Sequence, residues 1–160
     1  MRVSRNAGAK LTGMEVKDVS ARVIYSSPEF DQIVRDYCEE SGNPDLGEAV
    51  PALEFYERME QADAVRCAAA YEGERIVGIV VVVTTLYPHF GKRVASVESL
   101  WLDRSHRAGG AGLRLIRKAQ SMAREMGAVG IYYGARSGSR LAQLYGRLFT
   151  PMNTLFWKKL

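Results

Sequence analysis

The sequence predicts an α/β domain built on a mixed, mostly antiparallel sheet flanked by helices, in the order β-α-α-β-β-β-α-β-α-β. Three observations carry this expectation. A β-branched run, Arg75 to Leu86, follows the strand-like Val65 to Tyr71 across a Glu72-Gly73-Glu74 turn, which is the pattern of a hairpin. A glycine-rich loop, Arg107 to Gly112, opens a helix whose apolar stripe runs Leu113, Leu115, Ile116, Ala119, Met122, Ala123 and Met126. A length of 160 residues, 47% hydrophobic and 25% charged, matches a single domain over residues 1–160 that buries a core without metals or disulfides.

Taken in order, residues 1–13 are expected to be loosely ordered, and Ala21 to Tyr25 reads as a first strand. Ser27-Pro28-Glu29 supplies an N-cap, a proline at the first helical position and an early acid. The helix that follows places Phe30, Ile33, Val34 and Tyr37 on one face at i, i+3, i+4 and i+7. Residues 41–47, Ser-Gly-Asn-Pro-Asp-Leu-Gly, form a loop before a second helix from Pro51 to about Ala64, with Leu53, Phe55, Tyr56 and Met59 as its apolar positions. After the hairpin, Pro88 to Lys92 turns the chain into a strand from Arg93 to Leu102. Beyond the long helix, Gly127 stands as C-cap, Val129 to Tyr133 is a short strand, Ser139 to Leu148 a helix and Thr154 to Leu160 a last strand.

Several classes are excluded by composition. The longest apolar run, Ile76 to Val83, is interrupted by Gly78 and falls far short of the roughly 18 residues a membrane helix needs. Residues 1–13 carry Arg2, Arg5 and Lys10 but no apolar stretch of the secretory kind, so a cytoplasmic location is expected. Cys38 and Cys67 belong to no Cys-x-x-Cys or Cys/His cluster, so neither a zinc site nor a disulfide framework is suggested. Charge is unevenly placed. Residues 1–92 hold 10 Lys and Arg against 15 Asp and Glu, whereas residues 93–160 hold 12 against 3. A basic half of this kind suits a polyanionic ligand, either nucleic acid or the phosphates of a nucleotide cofactor. No helix-turn-helix spacing or aromatic-basic RNA motif accompanies it, so nucleic acid is not the expected ligand.

The strongest signal is the junction itself. Leu100 to Arg107 leads from a strand into Ala108-Gly109-Gly110-Ala111-Gly112 and directly into the long helix. The first turn of a helix has unpaired backbone N–H groups and a partial positive charge, and flanking glycines let an anion approach them closely. Pyrophosphate is the natural guest. The loop has no Gly-Lys-Ser/Thr of a Walker motif, and Leu115 stands where the dinucleotide fingerprint needs glycine.

Arg107, Gly110 and Gly112 match the Gln/Arg-x-x-Gly-x-Gly/Ala signature, and with Leu102-Asp103 upstream and Leu144-Tyr145 downstream the chain resembles the GNAT superfamily of N-acetyltransferases. In length it is similar to the small members found in bacteria and their phages. About two thirds of the chain, from Val65 onward, follows the family's order of elements. The resemblance implies that acetyl-coenzyme A binds with its pyrophosphate on the backbone of Arg107, Ala108, Gly109, Gly110, Ala111 and Gly112. It also implies that the strand edge at Leu100 and Leu102 pairs with the pantetheine arm.

Two side chains are candidates for proton transfer. Glu98 lies nine residues before Arg107, where the family often carries a carboxylate that deprotonates the amine; strand alternation puts it on one face with Leu100 and Leu102. Tyr145 stands where the family places the tyrosine that protonates the departing thiolate, although Leu141, Leu144 and Leu148 around it also suit a core residue. The pattern departs from the family's in two places. Ser137, Gly138 and Ser139 occupy the region of the usual asparagine, leaving Ser139 as the cofactor contact there, and Phe149-Thr150 replaces a glycine-aromatic pair. Arg136 and Arg140 could compensate by meeting phosphates. His106 reads as a loop support, His89 as a solvated turn residue, and Tyr132 and Tyr133 as a pair split between the two faces of their strand.

The resemblance implies an N-acetyltransferase whose acceptor is an amine of a small molecule, peptide or protein, attacked directly and without a metal. The alternative is a catalytically weak or silent protein of the same fold that keeps coenzyme A and works by binding another protein. The acidic residues Glu54, Glu57, Glu60 and Asp63 along one helix would suit a cationic acceptor.

Overall fold

The computed structural model describes residues 13–50 and 52–160. Its elements are β1 (Glu15–Val19), α1 (Ala21–Tyr25), α2 (Phe30–Ser41), α3 (Leu53–Gln61), β2 (Val65–Glu72), β3 (Arg75–Tyr87), β4 (Lys92–Leu102), α4 (Ala111–Glu125), β5 (Ile131–Tyr133) and α5 (Arg140–Leu148). The strands form one five-stranded sheet in chain order, β1-β2-β3-β4-β5. The first four are antiparallel neighbours, and β5 returns parallel to β4 after the α4 crossover. The mostly antiparallel α/β architecture read from the sequence is therefore the one observed. The expectation of loose order over residues 1–13 falls, apart from Gly13, outside the described residues, as does Pro51 at the start of the second helix.

Two segments differ from expectation. Ala21 to Tyr25 is a short helix rather than the first strand. Its Ala21 and Ile24, three residues apart, are both buried against the sheet, and Glu60 of α3 accepts a hydrogen bond from the Ala21 amide at 2.7 Å. A carboxylate on a helix N-terminus favours helix over strand. The strand role passes to the more polar Glu15–Val19, which pairs with β2 from Glu15 opposite Tyr71 to Val19 opposite Cys67. At the other end, residues 149–160 form no strand. Pro151 lacks the amide that a ladder needs at its entry, and Leu155, Phe156 and Leu160 are exposed. Trp157 Nε1 instead donates to Asp45 at 3.0 Å.

Helix ends follow local chemistry. α2 begins at Phe30 with no side-chain cap, because the Ser27 hydroxyl donates to the Ile24 carbonyl at the end of α1. α4 ends at Glu125, with Gly127 just beyond it at φ +76 and the Ala128 amide reaching back to the Ala123 carbonyl at 2.9 Å. That left-handed residue and six-to-one bond form a Schellman cap.

The sheet is packed on both faces. Val77, Val80, Val82, Ala95 and Leu102 meet Leu115, Ala119, Met122, Ala123 and Met126 of α4. On the opposite face Ile76, Ile79, Val81, Cys67 and Trp101 meet Ala21, Ile24 and Ile33 from α1 and α2. This double burial explains why β3 reads as a continuous apolar run rather than an alternating one.

Candidate functional site

β4 carries the central feature. Its pairing with β3 runs Val81 opposite Ser99 and then Val82 opposite Val97, so Glu98 is the extra residue of a β-bulge. The bulge reverses the alternation: Val97, Leu100 and Leu102 pack on the α4 side, while Trp101 packs on the other and Glu98 borders the cavity there. Glu98 therefore does not share a face with Leu100 and Leu102, because the inserted residue shifts the side-chain period by one.

The bulge also marks the point where β4 and β5 part. Their parallel pairing covers only Ala95 to Val97 against Ile131 to Tyr133. Beyond Val97, β4 pairs with β3 alone among the described strands, so one backbone edge of residues 98–102 faces the gap. Leu100 offers its backbone to that gap, as does Leu102 apart from its carbonyl, which accepts from Arg107; both side chains are committed to the core.

At the end of β4 the chain makes a tight turn held by Asp103. Its carboxylate accepts from the Ser105 amide at 2.9 Å and hydroxyl at 2.6 Å, and from Arg75 at 2.6 Å. The Ser105 hydrogen bonds, with the Arg75 guanidinium beside them, hold the Asp103 carboxyl down to about 2. His106 supports the same turn through Ser105 at 2.9 Å and Glu72 at 3.3 Å, the role read for it from the sequence.

The glycine loop follows. Gly109 and Gly110 both have positive φ, +80 and +84, which residues with a Cβ rarely adopt. Gly110 is the N-cap of α4, and the first helical bond is from the Arg114 amide to the Gly110 carbonyl at 3.2 Å. Among the described residues the amides of 108–113 donate to no backbone carbonyl. Amides lining a glycine loop at a helix N-terminus fit a pyrophosphate. The Arg107 side chain, by contrast, is tied into the protein: Nε donates to the Leu102 carbonyl at 2.9 Å and Nη2 to both oxygens of Glu40 at 2.9 and 3.0 Å. Arg104 reaches Glu39 and Glu40 on the same helix.

Tyr145 on α5 is 7% exposed, and its hydroxyl is buried with no hydrogen-bond partner among the described residues. Its ring lies 5.1 Å from that of Tyr133, which stacks on Phe149 at 4.3 Å. Burial, with the neighbouring phenols of Tyr133 and Tyr37, pushes the Tyr145 hydroxyl well above the ordinary tyrosine range. The Tyr37 hydroxyl donates to the Glu98 backbone carbonyl at 3.0 Å. Ser139 accepts from the Ala142 amide at 3.1 Å and so serves as the N-cap of α5. Arg136 borders the cavity, Arg140 and His89 are exposed, and Tyr132 is more exposed than its neighbour Tyr133.

That cavity, about 590 Å³, opens on the α1–α3 side of the sheet. Tyr25, Phe30, Tyr37 and Tyr56 line it together with Glu98. Burial and the Glu98 carboxylate raise the Tyr56 hydroxyl well above its ordinary range. Sequence reading placed Tyr37 and Tyr56 as core positions of their helices and so missed their hydroxyls as site groups. The signal available was a tyrosine, rather than leucine or isoleucine, at each position. Among the described residues no cluster of three or more His, Cys, Asp or Glu is placed to hold a metal ion, and no helix is long and apolar enough to cross a membrane.

Comparison with known proteins agrees with this fold. The model of the acetyltransferase (GNAT) family matches residues 30–148. This chain belongs to that family. A ribosomal-protein-alanine N-acetyltransferase from Brucella melitensis biovar Abortus 2308 is similar in structure, with a TM-score of 0.68 at 18% identity over 92% of this chain and 99% of the other. An aminoglycoside acetyltransferase from an uncultured soil metagenomic sample superposes with a TM-score of 0.71 at 18% identity, covering 93% and 99% of the two chains. A Trypanosoma brucei acetyltransferase gives 0.63 at 18% identity over 92% and 100%. No curated protein matches the sequence.

Proposed function

We propose that this protein is an acetyl-coenzyme A-dependent N-acetyltransferase that acetylates an amine by direct attack. The observation that carries the reading is the opening between β4 and β5 beside Glu98, with the amides of residues 108–113 at one end and the Tyr145 hydroxyl buried on α5. When bound, acetyl-coenzyme A supplies the acetyl group as a thioester, whose C–S bond is exchanged for a C–N bond to the acceptor.

The chain's own groups divide the remaining work. Loop amides 108–113 and the positive end of α4 bind the pyrophosphate. The β4 edge at residues 99–101, which β5 leaves uncovered, lines the pantetheine arm, and an amide of that edge donates to the developing oxyanion. The Glu98 carboxylate removes the proton that the acceptor nitrogen must lose. Tyr145 stays protonated through the neutral range, so its hydroxyl can donate to the departing sulfur. Arg107 acts by position: anchored to Leu102 and Glu40, it fixes the loop and leaves the phosphates to the backbone. We place this work in the cytoplasm, where acetyl-coenzyme A and amine acceptors meet.

The test is a thiol-release assay with acetyl-coenzyme A and a panel of amines, with products checked by mass spectrometry. Amine-dependent thiol release with an N-acetyl product is the expected result. Coenzyme A retained by the protein without transfer to any amine would overturn the catalytic reading and leave a cofactor-holding binding protein.

A further inference from the structure

Resting on the transferase reading above, we infer that the acceptor is a small primary amine with an apolar, aromatic or alkyl body and a single positive charge, rather than a polycation or a polyhydroxylated amine. The cavity beside Glu98 supports this in three ways.

Its size suits a small molecule. A volume of about 590 Å³ is within the usual range for small-ligand pockets. α1, α2 and the 42–50 loop wall it on one side of the sheet, and Ile79 and Val81 floor it.

Its walls are mainly apolar and rich in rings, the polar groups being the hydroxyls of Tyr25, Tyr37, Tyr56 and Ser99, with Asn43 and the charged residues at the border. Tyr25 and Phe30 stack at 4.5 Å, and Tyr25 lies 5.9 Å from Tyr56. Ile24, Ile33 and Val34 complete the apolar surface. A sugar-like amine carries more hydroxyls than these few wall groups can pair, and each hydroxyl left without a partner costs roughly tenfold or more in affinity. An alkyl or aryl body loses nothing of the kind.

Its charge suits one cation. Of the carboxylates that border the cavity, Glu39 is already paired with Arg104 at 3.1 Å, and Glu48 lies on the exposed 42–50 loop. Glu98 is left without an ion-pair partner among the described residues and faces the phenol rings, accepting a hydrogen bond from the Ser99 hydroxyl, with Arg136 also at the border. Aromatic faces attract an ammonium group while Glu98 receives its proton before attack. A second or third ammonium on a polyamine would meet rings and aliphatic side chains. The acids Glu57 and Glu60, read from the sequence as a draw for cations, are occupied by Arg22 and by the Ala21 amide.

The experiment is calorimetric binding of phenethylamine, hexylamine, spermidine and kanamycin to the full chain, run beside acetyl transfer to the same four. Phenethylamine and hexylamine are expected to bind at least tenfold more tightly than spermidine or kanamycin. Phe30→Ser and the milder Val34→Ser should each weaken phenethylamine several-fold while leaving coenzyme A affinity unchanged. Spermidine or kanamycin equalling the monoamines, in binding or in transfer, would overturn the assignment and leave the transferase reading intact. If the monoamines bind with the stated selectivity and no amine is acetylated, the cavity assignment stands and the transferase reading falls.

Discussion

Gly110 offers a substitution pair that isolates the electrostatic contribution of the cofactor loop. Its φ of +84 strains any residue with a Cβ, by about 1 to 2 kcal/mol, while a Cβ built there meets nothing within 4 Å. Strain is therefore the cost, and crowding is not. Gly110→Asn and Gly110→Asp add side chains of nearly equal size, and both types tolerate the left-handed region better than most. They differ by one negative charge. Two unit charges about 4 Å apart interact by about 1 kcal/mol in bulk water, so the two charges of a pyrophosphate give about 2 kcal/mol, roughly thirtyfold in affinity. Coenzyme A titrated calorimetrically into both variants at low salt should show that gap. Raising the salt to 1 M shrinks the screening length from about 10 to 3 Å and should collapse the gap to a few-fold. Equal affinity of the folded Asp and Asn variants at low salt would refute the placement of phosphates on this loop.

Three further outcomes are expected. Glu98→Gln should lower acetyl transfer by roughly 10²- to 10⁴-fold with coenzyme A affinity unchanged, checked by steady-state rates beside calorimetry. Tyr145→Phe should lower turnover yet raise the melting temperature by about 2 to 4 °C, because it removes a buried hydroxyl that has no partner, a gain of about 1 kcal/mol; loss of stability would mean the hydroxyl is satisfied. For Asp103 the folded-state pKa, about 2, lies below its unfolded value of about 3.9, so the stabilisation it gives is present above that value and is lost as pH falls through the folded one. Denaturant midpoints of wild type and Asp103→Asn should differ at pH 6 and converge between about pH 4 and 2.

The legible elements were those whose local signal and tertiary role coincide. The α4 stripe, its Gly127 cap and the Arg107–Gly112 loop all speak through short-range chemistry, and each stands close to where the sequence put it. Ala21 to Tyr25 was misread because its β-branched residues favour a strand, whereas its conformation is set by Glu60, thirty-nine residues away, and by burial of Ala21 and Ile24. Periodicity could place Glu98 on β4 but could not show the bulge that turns it toward the cavity, since a bulge leaves no compositional mark when no glycine forms it. Tyr145 was found through the family resemblance alone. The aromatic ring around Glu98 was hidden for the opposite reason: Tyr37 and Tyr56 fit a helical stripe so well that nothing distinguished them from core.

A sheet whose spatial order is its chain order has a consequence for how the molecule assembles. β2, β3 and β4 are joined by turns of a few residues, so their ladders close at small entropic expense. β1 must instead wait for the chain across α1, α2 and α3 to be gathered before it can pair with β2. The meander is expected to be the early, slowly exchanging unit, and the cavity wall the late one. Hydrogen exchange should therefore show amides of Val80 and Val82 opening with the whole protein, and those of Ile33 and Val34 opening in smaller, more frequent excursions. The reverse order of protection would refute this sequence of assembly. In such a molecule the frame that aligns the reacting groups outlasts the wall that selects the acceptor, so α1 to α3 can be remodelled while β4 and its loop keep their shape.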